Sequence, residues 1–525
     1  MPFLQASSVS YQFNNGERLF DSLTFSMTKS RVGLVGRNGV GKSMLASILL
    51  GEVAPSSGHV MSPQKTAIYR QHAGGLVSGE LTIAQFLGKH AIFEALERIE
   101  NGECDAQWFE QVGEEWDLPQ RLSEQLVLLG LPPQPQMLCA QLSGGQLARL
   151  QLWQLFESQA ELLILDEPSN HLDIKAKRWL IEQIRQYSGA VFVISHDRSL
   201  LREMDEIWAL SSLGMNIYGG NYDHYAEQQR VEQSAVERQL SHLKKQQKQL
   251  KEEAQRNREK AEQRAAQGNR LRRSGSQPKI LLDGKKDKAT ARASNRNKNE
   301  QQRQTYLNET QQALTSRYEE NRAQTFYLTE TKVRDKSVVM MENGVLAYGR
   351  SEPMTLRLTA NDKVRLVGDN GSGKSTLLKT LLGECALCEG QLRINTAFYY
   401  LDQHFAALKG DRSMLDNLLI QCQGMTEMKA RTLLAGVGFR RDTVFRLTDV
   451  LSGGEKMKLA MLIVSHQLNQ PFLLLDEPDN HLDLDSKQDL SRALNEYPGG
   501  FLLVTHDDDF ASGAGVEWQI GECSG

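Results

Sequence analysis

The sequence predicts an α/β protein assembled twice from one plan, with a long α-helical hairpin joining the halves. Three observations carry that expectation. The pattern G-x-x-x-x-G-K-S occurs at Gly36-Arg37-Asn38-Gly39-Val40-Gly41-Lys42-Ser43 and again, 332 residues on, at Gly368-Asp369-Asn370-Gly371-Ser372-Gly373-Lys374-Ser375. Each copy follows a short β-branched stretch (Arg31 to Val35, Val364 to Val367) and precedes an apolar helical run, the strand–loop–helix setting of a P-loop. Between the copies, Ala226 to about Gln267 has neither Pro nor Gly and is rich in strong helix formers.

Within the first half, Leu19 to Met27 alternates like a strand, and Met44 to Leu50 is the helix behind the P-loop. A short strand ends at Tyr69-Arg70-Gln71-His72. A long helical segment then runs to about Leu131, and its Trp108 and Trp116 are expected as core anchors. Leu142-Ser143-Gly144-Gly145-Gln146 opens an amphipathic helix. The buried strand Leu162 to Leu165 leads into Asp166-Glu167-Pro168, then Ser169-Asn170-His171-Leu172-Asp173. The strand Ala190 to Ile194 ends at Ser195-His196-Asp197. The second half repeats the order: Gln403 after Tyr399 and Tyr400, Leu451-Ser452-Gly453-Gly454-Glu455, Asp476-Glu477-Pro478, Asn480-His481-Leu482-Asp483, and Thr505-His506-Asp507. This is an internal duplication of a parallel-sheet unit. Gln71 to Ser143 spans 72 residues and Gln403 to Ser452 spans 49, so the first half carries about 23 extra residues there. The expected domains are 1–225, with a small insertion at about 80–138, a linker 226–336, and 337–525.

Composition narrows the class. A 525-residue chain holds two to three domains. Its 40% hydrophobic and 24% charged residues are ordinary for a soluble protein. No apolar run approaches the length of a transmembrane helix, and MPFLQASSVS lacks the basic and apolar regions of a secretory signal, so a cytoplasmic location without a membrane is expected. Cys385 and Cys388 form a lone C-x-x-C without a second pair at zinc spacing, which reads as reduced thiols.

Each motif points to phosphate chemistry. The P-loop glycines let backbone N–H groups and a helix N-terminus face phosphates, the lysines Lys42 and Lys374 neutralise β- and γ-phosphate charge, and Ser43 and Ser375 ligate Mg²⁺. Thr376 follows the second serine, where the first copy has Met44. Asp166 and Asp476 end apolar strands, a costly place for a carboxylate unless it serves a cation, and suit Mg²⁺. Glu167 and Glu477 are placed to polarise an attacking water. Gln71 and Gln403 are candidates for contact with Mg²⁺ or that water, and His196 and His506 for the γ-phosphate. The expected ligands are therefore ATP and Mg²⁺. Tyr11, Phe13 and Tyr348 are candidate stacking partners for the base.

The series P-loop, Gln, L-S-G-G-Q or L-S-G-G-E, D-E-P and S/T-H resembles the nucleotide-binding domains of ABC proteins. That resemblance implies two tandem P-loop ABC nucleotide-binding domains, paired head to tail within one monomer and closing on two ATP molecules. One site would join Lys42, Ser43, Gln71, Asp166, Glu167 and His196 to Ser452 and Gly454 of the other half. The second would join Lys374, Ser375, Gln403, Asp476, Glu477 and His506 to Ser143 and Gly145. N-H-L-D in both halves, with Gly220-Asn221-Tyr222-Asp223-His224-Tyr225 before the insert, resembles the ABC-F subfamily of ribosome-acting ATPases. The chain departs from that pattern at its end, where only 19 residues follow His506 without a second G-N-Y segment or basic tail. Val40 in the first loop and Glu455 in the second signature are departures expected to tune turnover.

The insert is basic. Residues 226–336 hold 26 Lys and Arg against 15 Asp and Glu, an excess of 11 in a chain of net charge −4. Val236, Leu240, Leu243, Gln247, Leu250 and Ala254 keep the rhythm of a coiled-coil seam, and 42 helical residues would reach ~63 Å. Gly268, Gly275, Pro278 and Gly284 are expected to break the helix, and about Asn295 to Thr331, with Leu307, Leu314 and Tyr318, to return antiparallel. Between Arg264 and Arg303 lie 12 Lys and Arg against three acids. Arg270, Arg272, Arg273, Lys279, Lys285, Lys286, Lys288, Arg292, Arg296 and Lys298 are the candidate RNA contacts, because a one-sided charge run on a stiff lever suits phosphate backbones better than it suits a solvated face. The reading is an ATPase whose closed form binds the ribosome, with the linker near P-site tRNA and rRNA, in general translation or antibiotic resistance. A transporter ATPase subunit leaves the basic hairpin unexplained. A DNA-repair ATPase would need longer coils or zinc pairs.

Overall fold

The computed structural model of the protein describes residues 2–70, 81–170, 172–273, 298, 301–312, 314, 337–349, 352–402, 405–439, 441–467, 471–480, 482–513 and 515–519. The chain divides into two compact units, Met1–Asp223 with Gln324–Gly525, and His224–Ala323. No described helix is long and apolar enough to cross a membrane.

The first unit contains the two sequence repeats as two cassettes. In the first, a mainly parallel sheet runs in the order Thr66–Tyr69, Leu162–Asp166, Ala190–Ile194, Arg31–Gly36, Glu206–Ser211, Gly214–Gly219, the last strand antiparallel. The second repeats it as Phe398–Leu401, Phe472–Asp476, Phe501–Val504, Lys363–Val367, Val516–Gln519. The central strands read as unbroken apolar runs, such as Ala190–Ile194, because helices cover both faces of a parallel sheet. Each cassette adds a three-stranded antiparallel sheet that the motifs did not announce. Its orders are Arg18–Met27, Leu4–Gln12, Ser57–Met61 and Met354–Thr359, Ser337–Val345, Glu389–Ile394. Alternation in Arg18–Met27 buries Phe20, Leu23, Phe25 and Met27, which close one core over the P-loop helix residues Leu45, Ile48 and Leu49.

The predicted long helix of the first cassette is instead four short ones: Ile83–Phe86, His90–Glu100, Ala106–Val112 and Leu118–Leu128. Gly88, Gly102 and Gly113 take positive φ at the breaks, a conformation open to glycine at little steric cost. Trp108 does pack, against Ala95, Leu96 and Val112, with the Arg98 guanidinium 4.5 Å over its ring. Trp116 does not: 49% exposed, it meets the ring of Phe109, itself 41% exposed, at 5.9 Å between centroids. Its expectation as a core anchor is corrected, because nothing in the spacing distinguished a side chain on the outer turn.

In the second unit the helix Tyr222–Arg273, whose first two residues belong to the first unit, runs through Gly268. The expected break there is thus corrected. One glycine inside a helix costs about 1 kcal/mol relative to alanine, which good helix formers around it outweigh. All six seam positions are the shielded ones on their face: Leu240 is buried and the other five half-buried, while most residues between them are exposed. Residues 301–312 are helical and pack back antiparallel, with Leu307 buried and Gln247 Nε2 donating to Gln311 Oε1 at 2.6 Å and Asn308 Oδ1 at 3.2 Å. Of the candidate RNA contacts, Arg270 and Lys298 are exposed, and Arg272 and Arg273 fall in the last turn of the helix. Lys279, Lys285, Lys286, Lys288, Arg292 and Arg296 lie outside the described residues, as do Gly275, Pro278, Gly284 and Tyr318.

Candidate functional site

The two P-loops adopt one conformation. Gly41 and Gly373 cap the helices Lys42–Leu49 and Lys374–Leu381 at φ +103° and +104°, and a Cβ on Gly41 would sit 2.7 Å from Leu19. Each lysine folds back on its loop. Lys42 Nζ donates to the Gly36 carbonyl at 2.6 Å and the Arg37 carbonyl at 3.1 Å. Lys374 does the same to Gly368 at 2.6 Å and Asp369 at 3.0 Å. Burial lowers both ammonium pKa values, with Glu167 and Glu477 respectively the leading counter-charges. Such a group gains by meeting an anion.

Beyond the loops stand the strand-end carboxylates. Burial raises Asp166 and Asp476, while hydrogen bonds from Ser43 and Ser375 oppose it. The Tyr400 hydroxyl adds a 3.4 Å bond to Asp476 that Ile68, its counterpart, cannot make. One serine oxygen and one carboxylate suit a hard cation that keeps water and phosphate as its other ligands. Groups of three or more His, Cys, Asp or Glu, as a zinc site needs, are absent among the described residues. The residues fit Mg²⁺.

Glu167 and Glu477 each take a left-handed backbone, φ 49° and 48°, rare for a residue with a side chain. Their N–H groups anchor to the neighbouring strand, at the Ile194 carbonyl (2.8 Å) and the Val504 carbonyl (2.9 Å). The twist turns each carboxylate toward a histidine: His196 Nε2 lies 3.6 Å from Glu167 Oε1, and His506 Nε2 3.5 Å from Glu477 Oε1. Burial pushes Glu167 up to about 7 despite Lys42 and Lys487, and raises Glu477 as well. It lowers His196 well below its ordinary value, and His506 to about 4. Glu167 Oε1, both His196 ring nitrogens and His506 Nε2 are buried and find no hydrogen-bond partner among the described residues. Polar atoms left so are expensive unless something else engages them.

The signature serines are N-caps. Ser143 and Ser452 each form a capping box, with Gln146 and Glu455. The Gln-to-Glu departure therefore preserves the local structure, and Glu455 adds a 3.2 Å ion pair to Arg446. Gly145 and Gly454 are buried in the first helical turn, where a Cβ on Gly454 would come within 2.5 Å of Ser486 Oγ.

A cavity of about 420 Å³ spans the junction of the cassettes, lined by Asn38 and Gly39 of the first P-loop, Ser452 and Gly453 of the second signature, and both Glu–His pairs. Ser143, Gly144 and Gly145 do not line it. Other contacts across the junction come from a motif that marked only a family likeness. Asp173 and Asp483 cap the helices Ile174–Gln186 and Leu484–Glu496, and the second oxygen of Asp483 accepts from Asn38 N–H at 3.2 Å. Arg37 Nε meets Asp485 at 3.4 Å, and Lys175 meets Asp369 at 2.8 Å. Motif reading gave Asp173 and Asp483 no contact of their own, and it passed over Lys175, Asp485, Lys177 and Lys487. The available signal was their equal place in both copies. Gln71 and Gln403 lie outside the described residues. Tyr11 stacks edge-on to Phe13 at 5.4 Å, and Tyr348 is exposed.

Comparison with known proteins agrees with this geometry. The sequence profile of the ABC transporter family matches residues 20–170 and 351–480. The chain is 31% identical to the putative ATP-binding protein YdiF of Bacillus subtilis, over 97% of its own length and 78% of that protein. It is 30% identical to the probable ATP-binding protein YheS of Escherichia coli K12, over 95% and 76%. Among solved structures it shares the fold of an ABCE1 chain from ribosome-bound archaeal Pelota and ABCE1, with a TM-score of 0.53 at 17% identity, covering 95% of this chain and 74% of that one. Two P-loop cassettes facing each other across one cavity, and family matches in both halves, place the chain in the ABC family, as a twin-cassette ATPase of the ABC-F kind.

Proposed function

We propose that this ATPase binds the ribosome when ATP closes its cassettes, carrying the basic linker toward P-site tRNA and the peptidyl-transferase centre, to modulate translation or protect it against antibiotics in the cytoplasm. The observation that carries the ATP half is the shared cavity, where one cassette's P-loop faces the other's signature. Lys42 and Lys374 release their loop carbonyls to the phosphates, and the signature N-termini, at Ser452 to Gly454 and Ser143 to Gly145, offer N–H groups to the γ-phosphate. Ser43 with Asp166, and Ser375 with Asp476, would hold Mg²⁺, with Gln71 and Gln403, which neutralises phosphate charge when bound. Glu167 and Glu477 orient water and draw off its proton as its oxygen bonds the γ-phosphorus and the bond to the bridging oxygen breaks, leaving ADP and phosphate. His196 and His506, held neutral by burial, donate to the γ-phosphate.

The ribosome half rests on the excess positive charge of residues 226–336 and on likeness to proteins of the ABC-F kind. A structural neighbour described as ribosome-bound shares the fold. The test is co-sedimentation. Glu167→Gln with Glu477→Gln is expected to pellet with ribosomes in ATP and to leave them as salt rises. A double variant that stays in the supernatant in ATP at low salt refutes ribosome binding.

A further inference from the structure

Two lysines outside the phosphate loops sit at matched places, Lys177 four residues after Asp173 and Lys487 four after Asp483. Their side chains are only 15% and 10% exposed. A buried ammonium is costly without close partners. Lys177 Nζ lies 2.8 Å from Asp197 Oδ2 of its own cassette and donates at 3.3 Å to the backbone carbonyl of His506 in the other. Lys487 Nζ lies 3.1 Å from Asp507 and 3.9 Å from Asp479, itself buried and accepting from the Thr505 hydroxyl at 2.8 Å. Both lysines line the cavity that holds the two Glu–His pairs.

The two lysines stand at like places in the fold, and the hydrogen bond across the junction is made by Lys177. Burial works against both ammonium groups, but Asp197 for one and Asp507 and Asp479 for the other more than offset it, so both stay charged. Lys487 lines the same cavity as Glu167 and His196 of the first cassette and is among the cations that act on them. Lys177 acts on His506 of the second. A carbonyl gripped from the other cassette fixes the turn that aims the His506 ring.

We propose that Lys177 and Lys487 are positioning residues that act in trans, Lys177 holding the His506 turn of the second cassette and Lys487 serving Glu167 and His196 of the first. The proposal rests on the two-site hydrolysis reading above, and deepens it. Single-turnover hydrolysis of ATP by the full chain separates the two. In the Glu167→Gln background only the Glu477 site turns over, and in the Glu477→Gln background only the Glu167 site. Lys177→Met is expected to slow the Glu477 site about tenfold more than the Glu167 site, a loss of the size a misplaced catalytic group causes, with KM for ATP little changed. Lys487→Met is expected to show the opposite preference. Lys177→Arg keeps the charge but not the compact donor, and is expected to show the same preference at smaller size, which serves should the Met variant not fold. Equal slowing of both sites, or none, overturns the inference. Absence of hydrolysis in both parent backgrounds overturns the two-site reading and this inference with it, whereas parents that turn over without site preference in the lysine variants sink this inference alone.

Discussion

The two cassettes share a backbone and differ in electrostatics. Both glutamates follow an apolar strand, both take the same left-handed φ, and both face a histidine. Both are followed at the third position by an asparagine, but two residues after Glu167 stands Ser169, whereas two after Glu477 stands Asp479, whose charge raises the pKa of Glu477 further. Cassette one has no acid to match Asp479, so the buried charge at the junction is lopsided although the fold is not. Duplicated motifs thus fix where each group stands, and the neighbours that diverged decide how readily it ionises.

The largest expected effect tests whether both glutamates act as bases. Glu167→Gln and Glu477→Gln should each slow hydrolysis at their own site by about 10²- to 10⁴-fold, measured as single-turnover phosphate release. A base must be ionised, so turnover at the Glu167 site should fall as pH drops through about 7. Burial raises Glu477 too, with Asp476 and Asp479 adding to it and the Asn480 amide opposing it, so turnover at its site should also fall on acidification. A site whose turnover does not fall on acidification would break the reading of its glutamate as a base.

A stability measurement sharpens it. A carboxylate whose folded pKa is raised from 4.5 to about 7 destabilises the fold above pH 7, less between 7 and 4.5, and not at all below 4.5. Glu167→Gln should therefore stabilise the nucleotide-free protein by on the order of 1–3 kcal/mol at pH 8 and by almost nothing at pH 4.5, read from denaturant unfolding. Loss of stability at pH 8 would show that the carboxylate is not strained in place. The smallest effects concern the helical segment that only cassette one enlarges. Trp108→Ala, which empties a small packed cluster under Arg98, should cost about 2 kcal/mol, and Trp116→Ala under about 0.5 kcal/mol. Equal costs would mean that the outer tryptophan packs as the inner one does.

That segment also shows how far the chain could be read in advance. The two bridges Thr82–Leu138 and Ser413–Leu447 close matching segments, and the extra length inferred from motif spacing is seen between the first pair as additional helix. Its division into four helices, and the exposure of Trp116, needed packing that spacing does not encode. The seam from Val236 to Ala254 was legible because a period of 3.5 survives in any long helix, while the fate of Gly268 turned on a balance of about 1 kcal/mol.

By itself the sequence determined the duplicated α/β plan, the phosphate loops, the strand-end carboxylates and the basic linker. These rest on local periodicity and on residues whose chemistry has few other uses, such as glycines that must take positive φ. Only the tertiary structure decided that Asn38 meets Asp483, that Ser452 shares a cavity with Glu167, and that Lys177 holds the carbonyl of His506. Those pairs lie more than 280 residues apart in the chain, and no local pattern records them. They exist because two copies of one fold pack face to face, which converts equal places in sequence into opposing places in space.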